Sequence, residues 1–494
     1  MSNKVVAPTV LSKTNFLCGI QCPRYLWMIL HEPKSIPQPS EAMQFISQQG
    51  RRVGELAKLL YPGGVDIPVL DFAAGILMTR EQLKCNRPIF EASILSEHVY
   101  CRPDILVPAG DDLWDIIEVK SATTIKDVSI QDVAFQRYCC ESAGVNIRRC
   151  RLAYINNQFV KRGEIDPNEL FIIEDITDRV ELAGIDMQQK VEEYLEVLSS
   201  PNCPQVRIGP HCSQPFICPL QERCWSFLPE HSVFELYWGG SKCFELFDRG
   251  IIDIRDIPAG YSLNSKQYIQ VDCIKSGVPH IRKQAIRDFI ASLQYPVYFL
   301  DFETFATVLP MFDGVCPNQQ IPFQFSLHVL QRSGAIAEHY GFLARGPEDP
   351  RPALLSELKT RLGTSGSIVA YHAPFEQQVL RDLAETYPVH AGWVAGVLPR
   401  LTDLLKPFIN FDYYHPDQKG SASLKKVLPA LTGLSYEGLP ISDGRQAGVA
   451  FMEAEFNGSG EMRRDKIRRD LSVYCGLDTS GMLAILKKLQ SEAC

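Results

Sequence analysis

The sequence predicts an α/β protein of several domains. Its 494 residues are too many for one ordinary domain. Strand-like apolar runs alternate with helix-period segments along most of the chain. Each half also carries its own acidic strand motif, CRPDILVPAGDDLWDIIEVK at 101–120 and VYFLDFETF at 297–305.

The first region, 1–225, reads as one αβ unit. Segments 39–60 and 72–84 have helical rhythm, and Glu91 opens a strand-like stretch. A hairpin follows, turning at Pro108-Ala109-Gly110-Asp111-Asp112. A helix over 129–143, a strand over 149–156 and a helix over 182–198 come next, and the region closes on HCSQPFICPLQERCW. Residues 226–293 read as a small helical connector, a packing module or a contact for a nucleic-acid backbone. Residues 294–494 form the last domain. There VYFLDFETF and PFQFSLHV suit antiparallel neighbours, followed by a helix over 351–362 and a short strand over 367–371.

Composition excludes some classes. No run of about 18 apolar residues suggests a membrane span. MSNKVVAPTVLSKTNF lacks a signal-peptide core, so a cytoplasmic protein is expected. A net charge of -8 does not advertise nucleic-acid binding, but it leaves room for a local basic groove beside acidic metal sites. Sixteen cysteines in that compartment point to metal ligation, catalysis or burial rather than disulfides.

Chemistry concentrates first in the hairpin. Asp104 starts one strand, and Glu118 and Lys120 share a face of the next. Two carboxylates suit Mg²⁺ or Mn²⁺, and a lysine beside them can orient water or offset phosphoryl charge. That is the set phosphodiester hydrolysis needs. Glu91, by proximity, and Glu55, from the preceding helix, are candidates to complete the metal shell. Gln136, with Tyr138, sits on the helix after the hairpin, where it can hold water, touch a nucleic-acid backbone or cap a packing contact.

Cys212, Cys218 and Cys224 recur at equal intervals, and Cys22 lies far upstream beside Cys18. Four thiolates bind zinc or an iron–sulfur cluster. Cys22 is the expected fourth ligand, because Pro23-Arg24-Tyr25-Leu26-Trp27 then starts a packed helix; Cys18 is the alternative.

These residues together resemble the RecB-like nucleases of the PD-(D/E)xK superfamily, with a restriction-endonuclease-like fold. The likeness is strongest to CRISPR-associated and helicase-linked members that carry a 4Fe-4S cluster. The resemblance implies that Asp104, Glu118, Lys120 and Gln136 are catalytic and that Cys22, Cys212, Cys218 and Cys224 hold the cluster. It also implies cleavage of DNA, often single-stranded and from an end. The even cysteine spacing departs from the commoner CxxC start.

The last domain carries a second set. Asp301 and Glu303 alternate on one strand face, a natural start for a two-metal site. Tyr474 and Asp478, at i and i+4, share a helix face, so Asp478 can ligate metal while Tyr474 orients water. Glu376 in VAYHAPFEQQVL and Asp403 in RLTDLL are further carboxylates. DFET, YHAPFE and YCGLD in that order resemble the DEDD exonucleases of the ribonuclease H-like fold, in the variety with tyrosine in the last motif. The second motif of that family usually reads Asn-x-x-Phe-Asp; here His372 and Glu376 stand at its ends. The segment 294–494 also looks like a bacterial family of unknown function often fused to RecB-like domains. The loops around Gln319–Gln324 and Gly420–Lys425 are candidates for sugar–phosphate contact.

The expectation is therefore a metal-dependent nuclease with two nuclease-like domains, acting on DNA as an exonuclease, with a 4Fe-4S cluster and Mg²⁺ or Mn²⁺. Its partners would be nucleic acid and repair or defence proteins, with no membrane association. The alternative is a non-catalytic nucleic-acid-binding scaffold in a repair or defence complex.

Overall fold

The computed structural model describes residues 10–68 and 71–493. The N-terminal stretch read above for a signal peptide lies partly outside them, since residues 1–9 are not described. The chain is an α/β protein of two compact units. The first comprises residues 1–226 together with 307–319; the second comprises 227–306 and 320–494. The connector segment 226–293 falls almost wholly within the second unit, and the insertion at 307–319 belongs to the first.

The first unit is built on a six-stranded mixed sheet in the order Val65–Asp66, Ile89–Phe90, Ile105–Pro108, Leu113–Lys120, Asn146–Ile155, Phe171–Asp175. The hairpin turns where Gly110, Asp111 and Asp112 all take positive φ (84°, 48° and 59°). Glycine and aspartate tolerate that region best. Leu113 N–H closes the turn on Gly110 O at 2.8 Å. Register pairs Ile105 with Ile117 and Leu106 with Ile116, which sets Asp104 beside Glu118.

Strand Leu113–Lys120 is covered on both faces. Trp114 and Ile116 pack into a core with Val133 and Phe135 of helix Asp127–Ser142. Ile117 and Val119 pack on the other side with Val53 and Ala57 of helix Glu41–Lys58. A strand buried twice over makes any charge on it costly, and Glu118 is only 1% exposed. The stretch at Glu91 is not a strand start: Ile89–Phe90 ends before it, Ile94–Ser96 begins after it, and Glu91 itself has φ 55°.

The second unit carries a five-stranded sheet in the order Glu338–Leu343, Ile321–Leu330, Val297–Phe305, Ile368–Ala370, Leu401–Asp403. The first three strands are antiparallel neighbours and the last two pairings are parallel. Tyr298, Leu300 and Phe302 face a core with Leu354, Leu358 and Val379. The opposite parity, Asp301 and Glu303, shares its face with Phe305, whose ring lies 5.6 Å from that of Phe451 on helix Gly444–Phe456. The 33-residue helix Glu461–Ala493 packs against the same strand and buries Tyr474, Cys475 and Asp478.

Candidate active sites

The hairpin brings together a larger charged group than the Asp, Glu and Lys pattern contains. Lys120 Nζ lies 2.7 Å from Glu118 Oε1 and 2.6 Å from Asp132 Oδ2. Lys13, from helix Lys13–Gln21, reaches Glu118 at 2.9 Å and Asp132 at 3.7 Å. Gln136 donates to Glu118 Oε2 at 2.8 Å and to Asp132 Oδ1 at 2.9 Å. Asp104 Oδ2 accepts from the backbone N–H of Val119 at 2.7 Å.

The electrostatics divide these carboxyls. Burial, then the Glu118 charge, push Asp104 up to about 7 despite Lys13 and Lys120. Burial also disfavours the Glu118 charge, but Lys120 and Lys13 win and hold it well below the usual range. Burial and Glu118 raise Asp132. Both lysines stay charged, because the carboxylates outweigh the burial that would lower them. One carboxylate is thus held ionised beside another poised near neutrality, an arrangement suited to proton transfer.

Lys13 and Asp132 were missed by sequence reasoning. Asp132 had a signal, its i, i+4 spacing to Gln136 on one helix face; Lys13 had none. Tyr138 packs against the core rather than joining the charges.

Two expected metal ligands make ion pairs of their own. Glu55 is exposed and paired with Lys58 at 2.7 Å, on a helix that covers the Ile117 face, opposite Glu118. The Glu91 backbone N–H does meet Asp104 O at 2.9 Å, but its carboxylate lies 3.4 Å from Arg102 Nε. Glu55 thus lies on the far side of the sheet from Glu118, while Glu91 adjoins Asp104 through its backbone.

Cys22, Cys212, Cys218 and Cys224 line one pocket, with Arg24, Arg207 and His211 around it. Cys22 caps helix Pro23–His31, and burial raises its thiol while the Tyr25 and Arg24 backbone N–H groups lower it. Burial raises Cys218 to about 11, with Cys22, Cys212 and Cys224 adding to the rise. Cys18 instead pairs with the Tyr25 side chain. The donor set fits a thiolate-held group: four sulfurs, two guanidiniums to offset their charge, and no carboxylate among the lining residues.

In the second unit, ligand atoms of Asp301, Glu303 and Cys475 lie within 4.8 Å of one another. Burial, then Asp478 and Glu303, drive Asp301 well above its ordinary value; burial and Asp478 do the same to Glu303. Asp478 rises to about 7 through burial, against the Tyr436 hydroxyl that donates to it and the nearby Lys425. Glu376 rises to about 8, chiefly by burial, and its Oε2 is buried without a hydrogen-bond partner.

Asp403 holds the backbone through one of its oxygens. Its Oδ1 accepts from the backbone N–H of His372 at 2.9 Å and of Leu405 at 3.0 Å. That bond steadies His372, at φ 75°, on the turn into the helix that carries Glu376. Tyr474 is buried near the carboxylates, but the phenol bonded to Asp478 is Tyr436, which sequence reasoning missed. Tyr436 lies in a loop with no spacing to mark it.

The donor set suits a hard divalent cation. Asp301 and Glu303 supply oxygens within 4.8 Å of one another, Asp478 acts on both through its charge, and the orphaned Glu376 oxygen is an unsatisfied acceptor. Burial lifts the Cys475 thiol well above its usual value, and its Sγ lies 3.9 Å from Asp301 Oδ2.

Residues 298–423 match the model of a family described as a domain of unknown function, DUF2779. None of the curated proteins matches the chain. The crystal structure of SSO0001 is similar over 46% of this chain and 90% of its own length, at 12% identity and a TM-score of 0.21, a likeness too weak to carry an argument. The family match takes in Asp301, Glu303, Glu376 and Asp403 and stops short of Tyr436, Tyr474 and Asp478.

Proposed function

We propose that this chain is a metal-dependent nuclease, hydrolysing phosphodiester bonds of DNA from an end. The observation that carries this reading is the second unit's acidic centre. Glu303, Glu376 and Asp478 are buried, Asp301 stands half-buried beside them, and the Lys425 cation acts on Glu303 and Asp478. Such a group is unfavourable when ionised unless a cation joins it.

Asp301, Glu303 and Asp478 would hold Mg²⁺ or Mn²⁺, with Glu376 in reserve. A bound ion of this kind lowers the pKa of its water and polarises a phosphoryl oxygen. Tyr436 orients the Asp478 carboxylate, and Asp403 fixes the turn that delivers Glu376. The order of acidic motifs along the chain and the mixed sheet support a ribonuclease H-like, DEDD-type domain.

The hairpin site supports a second phosphate-cleaving centre of the PD-(D/E)xK type. Asp104 and Glu118 would share a metal, and Lys120, held by two carboxylates, would face the phosphoryl charge. Gln136 holds Glu118 and Asp132 in place. In the same unit the four pocket cysteines would hold a 4Fe-4S cluster as a staple between Cys22 and the 212–224 segment.

The test is Mn²⁺- or Mg²⁺-dependent degradation of end-labelled single- and double-stranded DNA and RNA. Wild type, Lys120→Ala, Asp301→Ala and the double variant are compared. Each single change should remove part of the activity and the double change all of it. Robust cleavage by the double variant would defeat both site assignments. Retained binding with no cleavage by wild type would make the chain a scaffold.

A further inference from the structure

One cleft in the second unit is unused by the chemistry above. It holds about 600 Å³, within the range of ligand-binding cavities. One wall is Tyr237 and Trp238, with Lys266 beside them; the other is the 420–424 loop. Trp238 is 85% exposed and sits at φ 47°. Bulky residues rarely adopt that backbone conformation, and an indole so exposed forgoes much of its apolar burial. Two local costs at one residue call for a compensating use.

Both walls are fixed before any ligand arrives. Gly420 has φ 70°, and a Cβ there would stand 1.8 Å from Glu235 O, so only glycine lets the loop close on that backbone. Gln270 bridges the same segment, donating to Glu235 O at 2.8 Å and accepting from Tyr237 N–H at 2.7 Å. Tyr371 Oη donates to Ala422 O at 2.6 Å and ties the loop to the sheet end. The Lys266 ammonium is held by Ile409 O at 2.6 Å and lies 5.6 Å from the Tyr237 ring centre, with further donors to spare.

Two residues of the cleft lie close in the chain to residues of the acidic centre. His372 lines it, and Glu376 follows four residues later on the helix that His372 caps. Leu424 lines it, and the next residue, Lys425, is the cation facing Glu303 and Asp478.

We infer that this cleft is the entry track for a single-stranded polynucleotide, with Trp238 stacking on a base and Lys266 meeting a phosphate on the way to Asp301 and Glu303. The inference rests on the nuclease reading for where the strand leads. Its ligand is set by cleft chemistry: an exposed ring for a base face and a cation for the backbone. DNA and RNA share that chemistry, so both are tested.

The experiment uses the full chain in EDTA, which removes cleavage from the readout. Labelled oligo-dU and oligo-U are titrated against wild type, Trp238→Phe, Trp238→Ala and Lys266→Ala, reading affinity and tryptophan fluorescence. Trp238→Ala should weaken binding about 5- to 150-fold. Trp238→Phe should recover most of the affinity while losing the bound-state quenching, and Lys266→Ala should flatten the salt dependence. Stronger binding of one oligonucleotide identifies the sugar preferred. Unchanged affinity in Trp238→Ala, unchanged quenching in Trp238→Phe, or no binding by wild type would each overturn the proposal. The nuclease reading is judged separately, by wild-type cleavage with Mn²⁺, so the two can fail independently.

Discussion

Lys13→Met removes one of two cations from the hairpin site while keeping the side chain's length. Lys13 stands 2.9 Å from Glu118 and 3.7 Å from Asp132, and both carboxyls are nearly inaccessible. At an effective dielectric of about 20, such separations give about 4–6 kcal/mol of gross attraction each. Desolvation offsets much of that, and breaking a buried pair costs about 3–5 kcal/mol. Here Lys120 still serves both carboxylates, at 2.7 and 2.6 Å. The expected loss is therefore about half, roughly 2 kcal/mol. Hydrogen exchange on the strand Leu113–Lys120 isolates this unit and should show that loss at pH 7. Asp132→Asn discharges the other partner, so the double variant should lose less than the sum of the two single losses, by about 1 kcal/mol or more. Protection unchanged within about 0.5 kcal/mol in Lys13→Met, or strict additivity, would refute the coupling.

Four further outcomes follow from the geometry. Asp478 and Glu376 are raised to about 7 and about 8 in the folded chain, so they bind protons more tightly there than when unfolded. The second unit without metal should lose stability as pH rises from about 4 toward 8. Mn²⁺ should restore it at the alkaline end, as read by thermal shift, but not in Asp301→Asn. Burial and His339 lower His328 to about 4, so its contribution is present above about 6.5 and lost as pH falls through 4. The difference curve for His328→Gln should show that loss only on the acid side. Cys212→Ser should lower the iron content of anaerobically purified protein and expose residues 1–226 to proteolysis, while Cys85→Ser, at an exposed thiol, should do neither. Gly420→Ala should cost more than about 2 kcal/mol in the second unit, because both its φ and its neighbour at 1.8 Å forbid a methyl group; a stable variant would mean that the loop can shift.

What was legible in the sequence was what periodicity and spacing encode. Strand parity put Glu118 with Lys120, and Asp301 with Glu303. The i, i+4 rule put Tyr474 and Asp478 on one face of helix Glu461–Ala493. Pairing of VYFLDFETF with PFQFSLHV followed from their apolar pattern and appears as an antiparallel ladder. Partners brought in by tertiary packing were not legible. Lys13 lies 105 residues from Glu118, and Tyr436 lies 42 from Asp478. Glu55 misled because a place on a nearby helix says nothing about which sheet face that helix covers. Asp403 reads as one more ligand in the sequence, with no hint there that one of its oxygens accepts from two backbone N–H groups.

The insertion at 307–319 has a consequence for dividing the molecule. Val308 and Leu309 pack in the first unit's core beside Ile155 and Phe159. Lys161 and the insertion exchange backbone bonds at Val315 O and Gly314 N. A cut after Ser226 would therefore yield two fragments, neither of them whole. The longer would carry an apolar finger with nothing to grip, and the shorter would show the socket it left. Mixing the two should rebuild the native pair, and removing the finger should make the longer fragment less prone to aggregate.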